Sequence, residues 1–403
     1  MIVSDLAPLT QVIVHRPGKE MLRLTPSNKD ELLFDDLLWL ERAQEEHDAF
    51  AKALGSRGAE VLYFEELLAQ ALHSPQAREQ ALTEVVTSEA FGCAALDAIR
   101  SYAESLSPED LAELLIAGIT KRELLDRVSV PASTVIGAMN ADDFILTPLP
   151  NHLFTRDTSA WIHDGVFIGS MCKRARLRES VNARIIYSHH PRFSDTLQWD
   201  DGRAGTATVE GGDIMVLGND TVIVGMGERT NAQGVERLAL KLFEGGTIAQ
   251  VIAMEMPKAR ALMHFDTAMT MADEGTFVKY AGLGMLRSHT IRPGMTPGTV
   301  SVTDNPGEDM HQVIAGALGI DSIRVLHPPM DTLAAEREQW NDGSNLLAIA
   351  PGVVIAYERN TVTNDYLESQ GLTVVPVPGN ELGRGRGGPR CMSCPIARAS
   401  DNN

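Results

Sequence analysis

The amino-acid sequence predicts an α/β protein made of repeated ββαβ units arranged around an axis, with a helical segment inserted after the first unit. Three observations lead to this prediction. The chain begins with a β-α-β pattern, residues 67–141 are dominated by helix-forming residues, and the remainder repeats an apolar-turn-apolar pattern. Repetition of this kind is typical of folds assembled from equivalent units.

The first unit is predicted at the N-terminus. An apolar run at residues 12–14 is ended by a Pro-Gly pair and indicates a strand. Apolar residues then recur at helical spacing over residues 37–50, where Asp35 and Asp36 are expected to cap the helix and a glycine ends the pattern. Residues 59–64 are expected to form the next strand.

The second segment has a different composition. Residues 67–141 contain few β-branched residues, and Ser-Pro pairs beginning at Ser74 and Ser107 are typical of helix starts. We therefore expect several short helices here. The predicted organisation is an α/β domain of residues 1–66 and 142–403, interrupted by an inserted α-helical domain of residues 67–141.

Four hairpins are predicted in the rest of the chain, because two apolar runs flank a turn-forming group each time. Their strands are expected at residues 160–162 and 166–168, 215–217 and 221–224, 270–272 and 276–278, and 347–349 and 353–355. Two hairpins are followed by a matching Glu-Arg pair, at Glu228 and Glu358, and then by a helical stretch and a strand. Counting the N-terminal unit, about five units fit the length.

Polar residues precede each hairpin. They are Arg156 and Asp157, Glu210 and Asp213, His264 and Asp266, and Asp342 and Asn345. In a radial array the starts of equivalent strands converge on the centre. We therefore expect acids and a histidine from distant sequence positions to meet in one pocket.

The composition limits the classes of partner. The chain of 403 residues has 35 basic and 54 acidic residues, a net charge of −19, which opposes nonspecific binding to nucleic acid or to an anionic membrane. This charge is compatible with a cationic substrate, although acidic composition is also common among cytosolic proteins. No apolar run approaches the roughly 18 residues that span a bilayer, and residues 1–16 lack the order of a signal peptide. A cytoplasmic location is expected, with the four cysteines as thiols.

A glycine-rich loop near the C-terminus carries Cys391. Four glycines and a proline within residues 383–389 exclude a helix or a regular strand, and three arginines precede the cysteine. Because nearby arginine stabilises a thiolate, Cys391 is a candidate nucleophile. Cys391 and Cys394 also form a Cys-x-x-Cys pair, which could be a redox dithiol, half of a zinc site or purely structural.

Three further segments could carry chemistry. His264 and Asp266 are two residues apart, so in a strand they would share one face, and a histidine beside a carboxylate can act as a general acid and base. Glu210 and Asp213 flank two glycines that would permit close approach of another chain or a ligand. Asp157 precedes a hairpin. A structural role, as a core histidine, a turn or a strand-entry cap, remains open for each.

Several common catalytic motifs are missing from the sequence. It contains neither a phosphate-binding G-x-x-x-x-G-K-[ST] loop nor a G-x-G-x-x-G placed between a strand and a helix. It also lacks G-x-S-x-G and H-E-x-x-H. Chemistry based on a bound nucleotide, a serine nucleophile or a zinc-protease site is therefore not indicated.

Taken together, these segments resemble the arginine deiminase family of the guanidino-group-modifying superfamily. The resemblance runs from Leu24 to the C-terminal region. It rests on LTPSNKDELLFDD, PNHLFTRDT, TVEGGDIM, GMGERT, MHFDT, EREQWNDGSN, YERN and ELGRGRGGPRCMSCP, in this order. Many segments in the right order are far more specific than any one of them. The resemblance implies a five-bladed α/β propeller, the pentein fold, with pseudo-fivefold symmetry and an inserted helical bundle.

The resemblance also implies a reaction and the residues that perform it. The reaction is hydrolysis of L-arginine to L-citrulline and ammonia, and it requires no cofactor or metal. Cys391 would be the nucleophile, His264 the general acid and base, and Asp157 and Asp266 the guanidinium ligands. Glu210 would support both the guanidinium and His264.

Five further residues match family positions that bind the rest of the substrate. Asn151, Arg176 and Arg229 would hold the α-carboxylate and amino end, Phe154 would pack on the substrate stem, and Arg386 would be a mobile gate residue. The family commonly has leucine at the position of Phe265, which alters packing behind the site. Agmatine or methylarginine hydrolysis and amidino transfer remain alternatives within the superfamily. A dimer or tetramer is expected.

Overall fold

The structure is a computed structural model that describes residues 1–203 and 205–399. Nineteen strands and fifteen α-helices in these residues form an α/β fold, which confirms the predicted class. Residues 204 and 400–403, which belong to the predicted domain 142–403, lie outside the described residues. Among the described helices, none has both the length and the apolar character required to cross a membrane.

The N-terminal unit has the predicted β-α-β order. It contains β1 (Leu9–Val14), α1 (Leu40–Gly55) and β2 (Glu60–Tyr63). The two strands pair in parallel. The prediction that Asp35 and Asp36 cap α1 is wrong, because Trp39 precedes the first turn and the Asp36 carboxylate accepts from the Leu37 N–H instead. Aspartate bonds to a neighbouring backbone N–H in a turn as readily as at a helix start, so the residue type alone did not locate the cap.

The segment that follows is mainly helical. It contains α2 (Phe64–Ala71), α3 (Pro75–Val85), α4 (Ser88–Phe91), α5 (Cys93–Ser105), α6 (Pro108–Ala117), β3 (Ile119–Thr120), α7 (Lys121–Leu125), α8 (Thr134–Ala138) and β4 (Phe144–Leu146). Ser74 and Ser107 cap α3 and α6, each with proline as the first helical residue, as predicted. The predicted domain boundaries at residues 67 and 141 remain a proposal.

The remaining elements follow a repeating order. They are α9 (Thr155–Thr158), β5 (Ser159–Ile162), β6 (Gly165–Ile168), α10 (Leu177–His189), β7 (Leu197–Asp201), β8 (Ile214–Gly218), β9 (Thr221–Met226), α11 (Ala232–Glu244), β10 (Gln250–Glu255), α12 (Phe265–Ala268), β11 (Met269–Asp273), β12 (Thr276–Lys279), β13 (Ser288–Pro293), β14 (Val300–Asn305), α13 (Met310–Leu318), β15 (Arg324–Leu326), α14 (Thr332–Trp340), β16 (Leu347–Ala350), β17 (Val353–Tyr357), α15 (Thr361–Ser369), β18 (Thr373–Val377) and β19 (Cys394–Arg398). All four predicted hairpins are confirmed as antiparallel pairs.

Five sheets share one strand arrangement, in which a central strand pairs antiparallel on one side and parallel on the other. Their orders are β19-β1-β2, β5-β6-β7, β8-β9-β10, β11-β12-β15 and β16-β17-β18. The third sheet is extended by β13 and β14, and β3 and β4 form a separate pair. Within the described residues these sheets remain open and are not joined into one closed sheet. Because β19 pairs with β1, the last strand of the chain completes the first unit.

The strands of these sheets supply much of the apolar interior. Every residue of β6 is buried, as expected for a central strand covered on both faces. Helix α11 shows the complementary pattern, because Val235, Leu238, Ala239 and Leu242 form a buried stripe on one side. Rigid strands with buried helices against them give a fixed frame for the segments at their ends.

Short helical turns precede the first strand of three units. Helices α9 and α12 lead into β5 and β11, and a 3-10 turn at Gly211–Asp213 leads into β8. The expectation that His264 and Asp266 share a strand face is therefore wrong. Asp213 accepts from the Phe265 N–H at 2.8 Å, and this distant carboxylate satisfies the first turn of α12.

Candidate active site

The five residues predicted to be catalytic are buried close to the starts of these first strands. Their exposed fractions range from 0 % for Glu210 and Asp266 to 3 % for Asp157. Asp157 lies in α9, Glu210 precedes the Gly211–Asp213 turn, and His264 and Asp266 lie at α12. Cys391 lies in the loop before β19. Residues far apart in the sequence thus meet in one buried cluster.

Cys391 is held by side-chain and backbone contacts. Its sulfur lies 3.7 Å and 3.8 Å from the two carboxylate oxygens of Asp266. Asn345 donates from Nδ2 to this sulfur at 3.2 Å and accepts the Cys391 N–H at 3.0 Å. The Cys391 carbonyl accepts the N–H of Arg156 at 3.1 Å. These contacts fix the loop against α9, α12 and the segment before β16.

The surroundings of Cys391 favour the neutral thiol. Burial raises the pKa of Cys391 well above its ordinary value, and the nearby carboxylates of Asp266 and Asp157 raise it further, whereas Arg390 acts in the opposite direction. A nucleophilic thiolate at this position therefore needs additional positive charge.

His264 lies between two carboxylates. Its Nε2 is 2.8 Å from Glu210 Oε2, and its Nδ1 is 3.4 Å from Asp157 Oδ1. Burial opposes the charge on the ring, but Asp157 and Glu210 outweigh it and raise the pKa of His264 to about 9. His264 is therefore an imidazolium at neutral pH. It can donate a proton.

The pKa of Glu210 is shifted in the other direction. Burial would raise this pKa, but the positive charges of Arg229 and His264 lower it to about 2. Glu210 is therefore ionised across the physiological range, and its charge keeps His264 protonated. The two groups form a buried ion pair.

The two aspartates of the cluster share one arrangement. Asp157 Oδ2 accepts from Arg176 at 2.6 Å, and Asp266 Oδ2 accepts from Arg390 at 2.6 Å. The second carboxylate oxygen of Asp157 lies beside His264, and that of Asp266 lies beside Cys391. Asp157 Oδ1 accepts no hydrogen bond from the described residues. Buried arginines therefore orient both carboxylates and leave one oxygen of each toward the cysteine and histidine.

Two glycines allow this close packing. A Cβ atom added to Gly212 would lie 2.6 Å from Asp157 Oδ1 and 2.8 Å from the His264 ring, and one at Gly211 would overlap the Arg156 carbonyl. The close approach expected from the sequence is therefore between Gly212 and the side chains of Asp157 and His264, and between Gly211 and the backbone of α9.

The residues predicted to bind the rest of a substrate surround this cluster. Arg176 contacts Glu179 as well as Asp157, and Arg229 donates to Glu210 at 3.3 Å. Asn151 donates to the Leu32 carbonyl at 2.7 Å. All three are buried. Their assignment to a substrate carboxylate stays a prediction.

Phe154 packs against the loop before Cys391, and Arg386 lies in that loop. Phe154 stacks on Phe34, with ring centroids 6.3 Å apart. The Arg386 guanidinium stacks on the Trp340 ring at 3.7 Å, and Arg386 adopts a left-handed backbone conformation with φ 66°. Two of its nitrogens, Nε and Nη1, have no hydrogen-bond partner among the described residues. Arg386 therefore has unused hydrogen-bonding capacity next to the cluster.

The two cysteines of the Cys-x-x-Cys pair have different surroundings. Cys394 donates to the Ser159 carbonyl at 3.3 Å, whereas Cys391 faces Asp266 and Asn345. All four cysteines are free thiols.

Asn345, Arg390 and Asp213 also contact the cluster but were not identified as site residues from the sequence. Asn345 was noted only as a polar residue before a hairpin, Asp213 also as one of two acids that flank a pair of glycines, and Arg390 only as one of three arginines before Cys391. Asp213 accepts from Thr230 at 2.6 Å in addition to Phe265 and thereby positions the segment that carries His264. Their place before a strand was the available signal, but it does not reveal the partner.

The sequence matches the arginine deiminase family over residues 30–398. Arginine deiminases of Mycobacterium tuberculosis and Mycobacterium bovis are each 47% identical over 397 residues, which covers 98% of this chain and 97% of theirs. The arginine deiminase of Mycobacterium avium is 46% identical with the same coverage.

Two solved structures with a similar fold come from an amidinotransferase and a dimethylarginine dimethylaminohydrolase. An amidinotransferase of Microseira wollei aligns over 100% of this chain and 98% of its own with a TM-score of 0.58. A dimethylarginine dimethylaminohydrolase of Pseudomonas aeruginosa aligns over 96% and 99% with a TM-score of 0.51. Both are 14% identical, so they show the shared α/β fold alone. The match over residues 30–398 shows that the chain belongs to the arginine deiminase family.

Proposed function

We propose that this protein hydrolyses free L-arginine to L-citrulline and ammonia through a covalent intermediate on Cys391. The observation that carries the proposal is the arrangement around the sulfur. Two arginine-oriented carboxylates, Asp157 and Asp266, lie beside a cysteine and a protonated histidine in a buried cluster. Members of the same family named arginine deiminase share 46–47% of its residues.

The two carboxylates suit a guanidinium. This cation is planar, stays protonated because its pKa is above about 12, and offers N–H donors along its edges. The free oxygen of Asp157 and the oxygen of Asp266 nearest Cys391 would accept these donors through charge-assisted bonds. Such bonds fix the plane of the group and hold its central carbon against the sulfur.

Substrate binding would also generate the nucleophile. The neighbouring carboxylates oppose the thiolate of Cys391, and a guanidinium between them would neutralise their charge. Arg386, two of whose nitrogens have no hydrogen-bond partner among the described residues, would add positive charge from the loop before Cys391. Cys391 is then expected to ionise in the complex more readily than in the free enzyme.

The first half of the reaction would release ammonia. The thiolate attacks the guanidinium carbon and forms a C–S bond, which gives a tetrahedral adduct. His264 gives its proton to the departing nitrogen, the C–N bond breaks, and ammonia leaves. The remaining amidino-thioether is planar, and His264 is now neutral.

The second half would regenerate the enzyme. Neutral His264 removes a proton from water, and the resulting hydroxide attacks the same carbon. Collapse of this second tetrahedral adduct breaks the C–S bond and restores the thiolate, the hydroxyl proton of the adduct passes to solvent, where ammonia takes it up as ammonium, and L-citrulline is released. His264 is again protonated, and its pKa of about 9 supports this alternation between acid and base.

The other end of the substrate would be held by cationic and amide groups. Arg176 and Arg229 are the candidates for the α-carboxylate together with Asn151, and Arg386 would cover the site. Phe154 would pack on the methylene stem. Arg176 and Arg229 already pair with carboxylates of the cluster, so a substrate carboxylate would have to share or exchange these partners.

Replacement of the nucleophile tests this proposal. Cys391→Ala should reduce citrulline formation by about a thousandfold or more while arginine binding remains detectable by calorimetry. Cys394→Ala is the matched control, because this thiol is equally buried but packs on Ser159. If Cys391→Ala kept a tenth of the wild-type rate, the covalent mechanism would be wrong.

The substrate class is tested in the same assay. Arginine, agmatine and methylarginine should be compared as substrates, because they differ in the carboxylate or in the guanidinium substituents. Cationic residues around the carboxylate end favour arginine over agmatine. Faster turnover of agmatine or methylarginine, or transfer of the amidino group to an added amine, would contradict arginine deiminase activity.

The five sheets are proposed to surround a common axis as a five-bladed α/β propeller. Hydrogen bonds between successive units support this arrangement. Arg156 donates to Ile214, Phe265 to Asp213, Thr270 to Ser344 and Arg398 to Ala348, and Cys394 donates to Ser159. A crystal structure in which β19 and β5 are not neighbours would contradict the ring.

Three further properties are proposed at the level of the whole protein. Residues 67–141 are proposed to form a helical domain inserted in the α/β domain of residues 1–66 and 142–403. The protein is proposed to be a dimer or tetramer. Its proposed location is the cytoplasm. Sedimentation velocity tests the assembly and cell fractionation the location. Limited proteolysis that spares both proposed boundaries would argue against a separate inserted domain.

A further inference from the structure

Two buried ion pairs connect Asp266, the carboxylate beside Cys391, to the N-terminal segment. Arg390 donates from Nη1 to Asp266 Oδ2 at 2.6 Å and from Nη2 to Asp5 Oδ2 at 2.7 Å. Arg390 Nη2 also lies 2.9 Å from the Ile214 carbonyl. All three residues are nearly inaccessible to solvent, with exposed fractions of 6 % or less. Asp5 therefore interacts with the nucleophile through Arg390 and Asp266.

The N-terminal segment is held in place by backbone hydrogen bonds. Ile2 exchanges two bonds of 2.8 Å with His163, and Asp5 donates its N–H to the Val216 carbonyl at 2.9 Å. Asp5 precedes residues 30–398, which match the family. Its carboxylate also lies 3.5 Å from Arg156, the neighbour of Asp157. The segment thus delivers a single negative charge to the back of the catalytic cluster.

We propose that Arg390 and Asp5 are positioning residues that act through Asp266 and determine how readily Cys391 ionises. Arg390 supplies the positive charge behind the sulfur, and Asp5 partly compensates that charge while it fixes the guanidinium. The inference deepens the proposed function, because it concerns the same nucleophile. Neither residue touches the reacting carbon.

Other ionisable groups also surround Cys391 and Asp5. The carboxylates of Asp266, Asp157 and Asp342 oppose the thiolate of Cys391, whereas Arg390 and Arg386 favour it, and the Tyr357 phenol lies nearby. Asp5 is faced by Arg156, Arg390 and Arg398. The surrounding groups are unchanged in single variants of Asp5 or Arg390, so these variants report one charge at a time.

Removal of the Arg390 charge and removal of the Asp5 charge are expected to shift the pKa of Cys391 in opposite directions. Arg390→Gln deletes a positive charge and should raise this pKa. Asp5→Asn deletes a negative charge but keeps an oxygen that can accept from Arg390, so the uncompensated guanidinium should lower the pKa. A purely structural role would reduce stability in both variants and would not produce shifts of opposite sign.

The test is alkylation of Cys391 by iodoacetamide as a function of pH without substrate, with each cysteine peptide quantified by mass spectrometry. The exposed thiols Cys93 and Cys172 are internal controls. We expect the pH at which alkylation of Cys391 is half-maximal to rise by about one pH unit in Arg390→Gln and to fall by about half a pH unit in Asp5→Asn. Arg390→Lys, which keeps the charge, should lie near the wild type.

Shifts in the same direction, or no shift in variants with native circular dichroism, would overturn the inference. If Arg390→Gln does not fold, the sign of the Asp5→Asn shift decides alone, because asparagine preserves the shape of the side chain. The alkylation readout does not depend on arginine turnover. A wild-type protein that makes no citrulline but shows both shifts would refute the proposed function and leave this inference standing.

Discussion

At the scale of single residues, Asn345 is the amide that contacts Cys391 on both its sulfur and its backbone N–H. We expect Asn345→Ala to remove a donor to the thiolate and therefore to raise the pKa of Cys391. The value of kcat/KM should fall by about 10- to 100-fold, and its alkaline limb should move to higher pH. The pH profile of citrulline formation measures both.

Asn182→Ala is a suitable control for this variant. Asn182 is equally buried and also makes a side-chain hydrogen bond, but its partner is His152. Its replacement should reduce stability without a shift in the pH profile. Equal changes in both profiles would show that Asn345 acts only through packing.

At Gly387 the loop before Cys391 lies close to its neighbours. An added Cβ would overlap the Phe154 ring and lie 3.0 Å from Cys391 Cβ. Gly387→Ala should therefore displace Cys391, the proposed nucleophile, and reduce kcat by more than about tenfold. Gly316→Ala in α13 is the control, because an added Cβ meets no atom within 4 Å there, and activity should be unchanged. Equal activity of the two variants would contradict close packing at Gly387.

At the scale of elements, α1 holds the start of the segment that leads to Cys391. Glu46, fully buried in α1, accepts the N–H groups of Glu381 and Leu382 at 2.9 Å and 3.2 Å, where the 3-10 turn Leu382–Gly385 begins. Glu46→Ala would leave two N–H groups without this acceptor. We expect the free energy of unfolding to fall by about 2 kcal/mol or more, measured by denaturant titration.

The neighbouring glutamate on the same helix provides a control for that prediction. Glu45 is exposed and pairs with Arg42 at the surface, so Glu45→Ala should change stability by less than about 1 kcal/mol. Proteolysis within residues 381–390 should accelerate only in Glu46→Ala. Unaltered proteolysis there would mean that α1 does not anchor the turn.

Some helices and strands were predicted correctly from the sequence, and others were not. The four hairpins and the helix starts at Ser74 and Ser107 were correct because alternating apolar runs, turn residues and caps act over a few neighbouring residues. The short helix α12 was missed because its first turn is stabilised by Asp213, 52 residues earlier in the chain. Local patterns do not contain such partners.

At the scale of the whole molecule, buried His15 ties β1 to the helical segment. It lies 2.8 Å from Glu65 in α2 and 3.2 Å from Glu20. Burial opposes its charge, but the two carboxylates raise its pKa to about 10, above the ordinary value of 6.5. Because the folded state holds the proton more tightly, this stabilisation is complete below pH 6.5 and is lost as pH rises through about 10.

We therefore expect the cost of His15→Gln to depend on pH. The loss in the free energy of unfolding should be about 3 kcal/mol or more near pH 6 and much smaller above about pH 10. Urea titrations across this range give the comparison. Exposed His73→Gln is the control and should show little loss at either pH. A cost for His15→Gln that grows with pH would refute the sign of the shift.

The amino-acid sequence was sufficient to predict the fold class, the repeated hairpins and the family, and through the family the loop that carries the proposed nucleophile Cys391. These depend on periodicity, turn chemistry and the order of motifs, all of which are encoded along the chain. Which side chains come into contact could be learned only from the folded chain. The pairs Asn345 with Cys391, Arg176 with Asp157, and Asp5 with Arg390 join residues 46, 19 and 385 positions apart.

The same limit applies to charge. The sequence indicated that arginines near Cys391 would favour its thiolate, whereas in the folded protein burial and the carboxylates of Asp266 and Asp157 raise the pKa of Cys391. The sign of that balance depends on distances and on the exclusion of water. Both are properties of the folded chain, because an unfolded chain keeps these groups apart and hydrated.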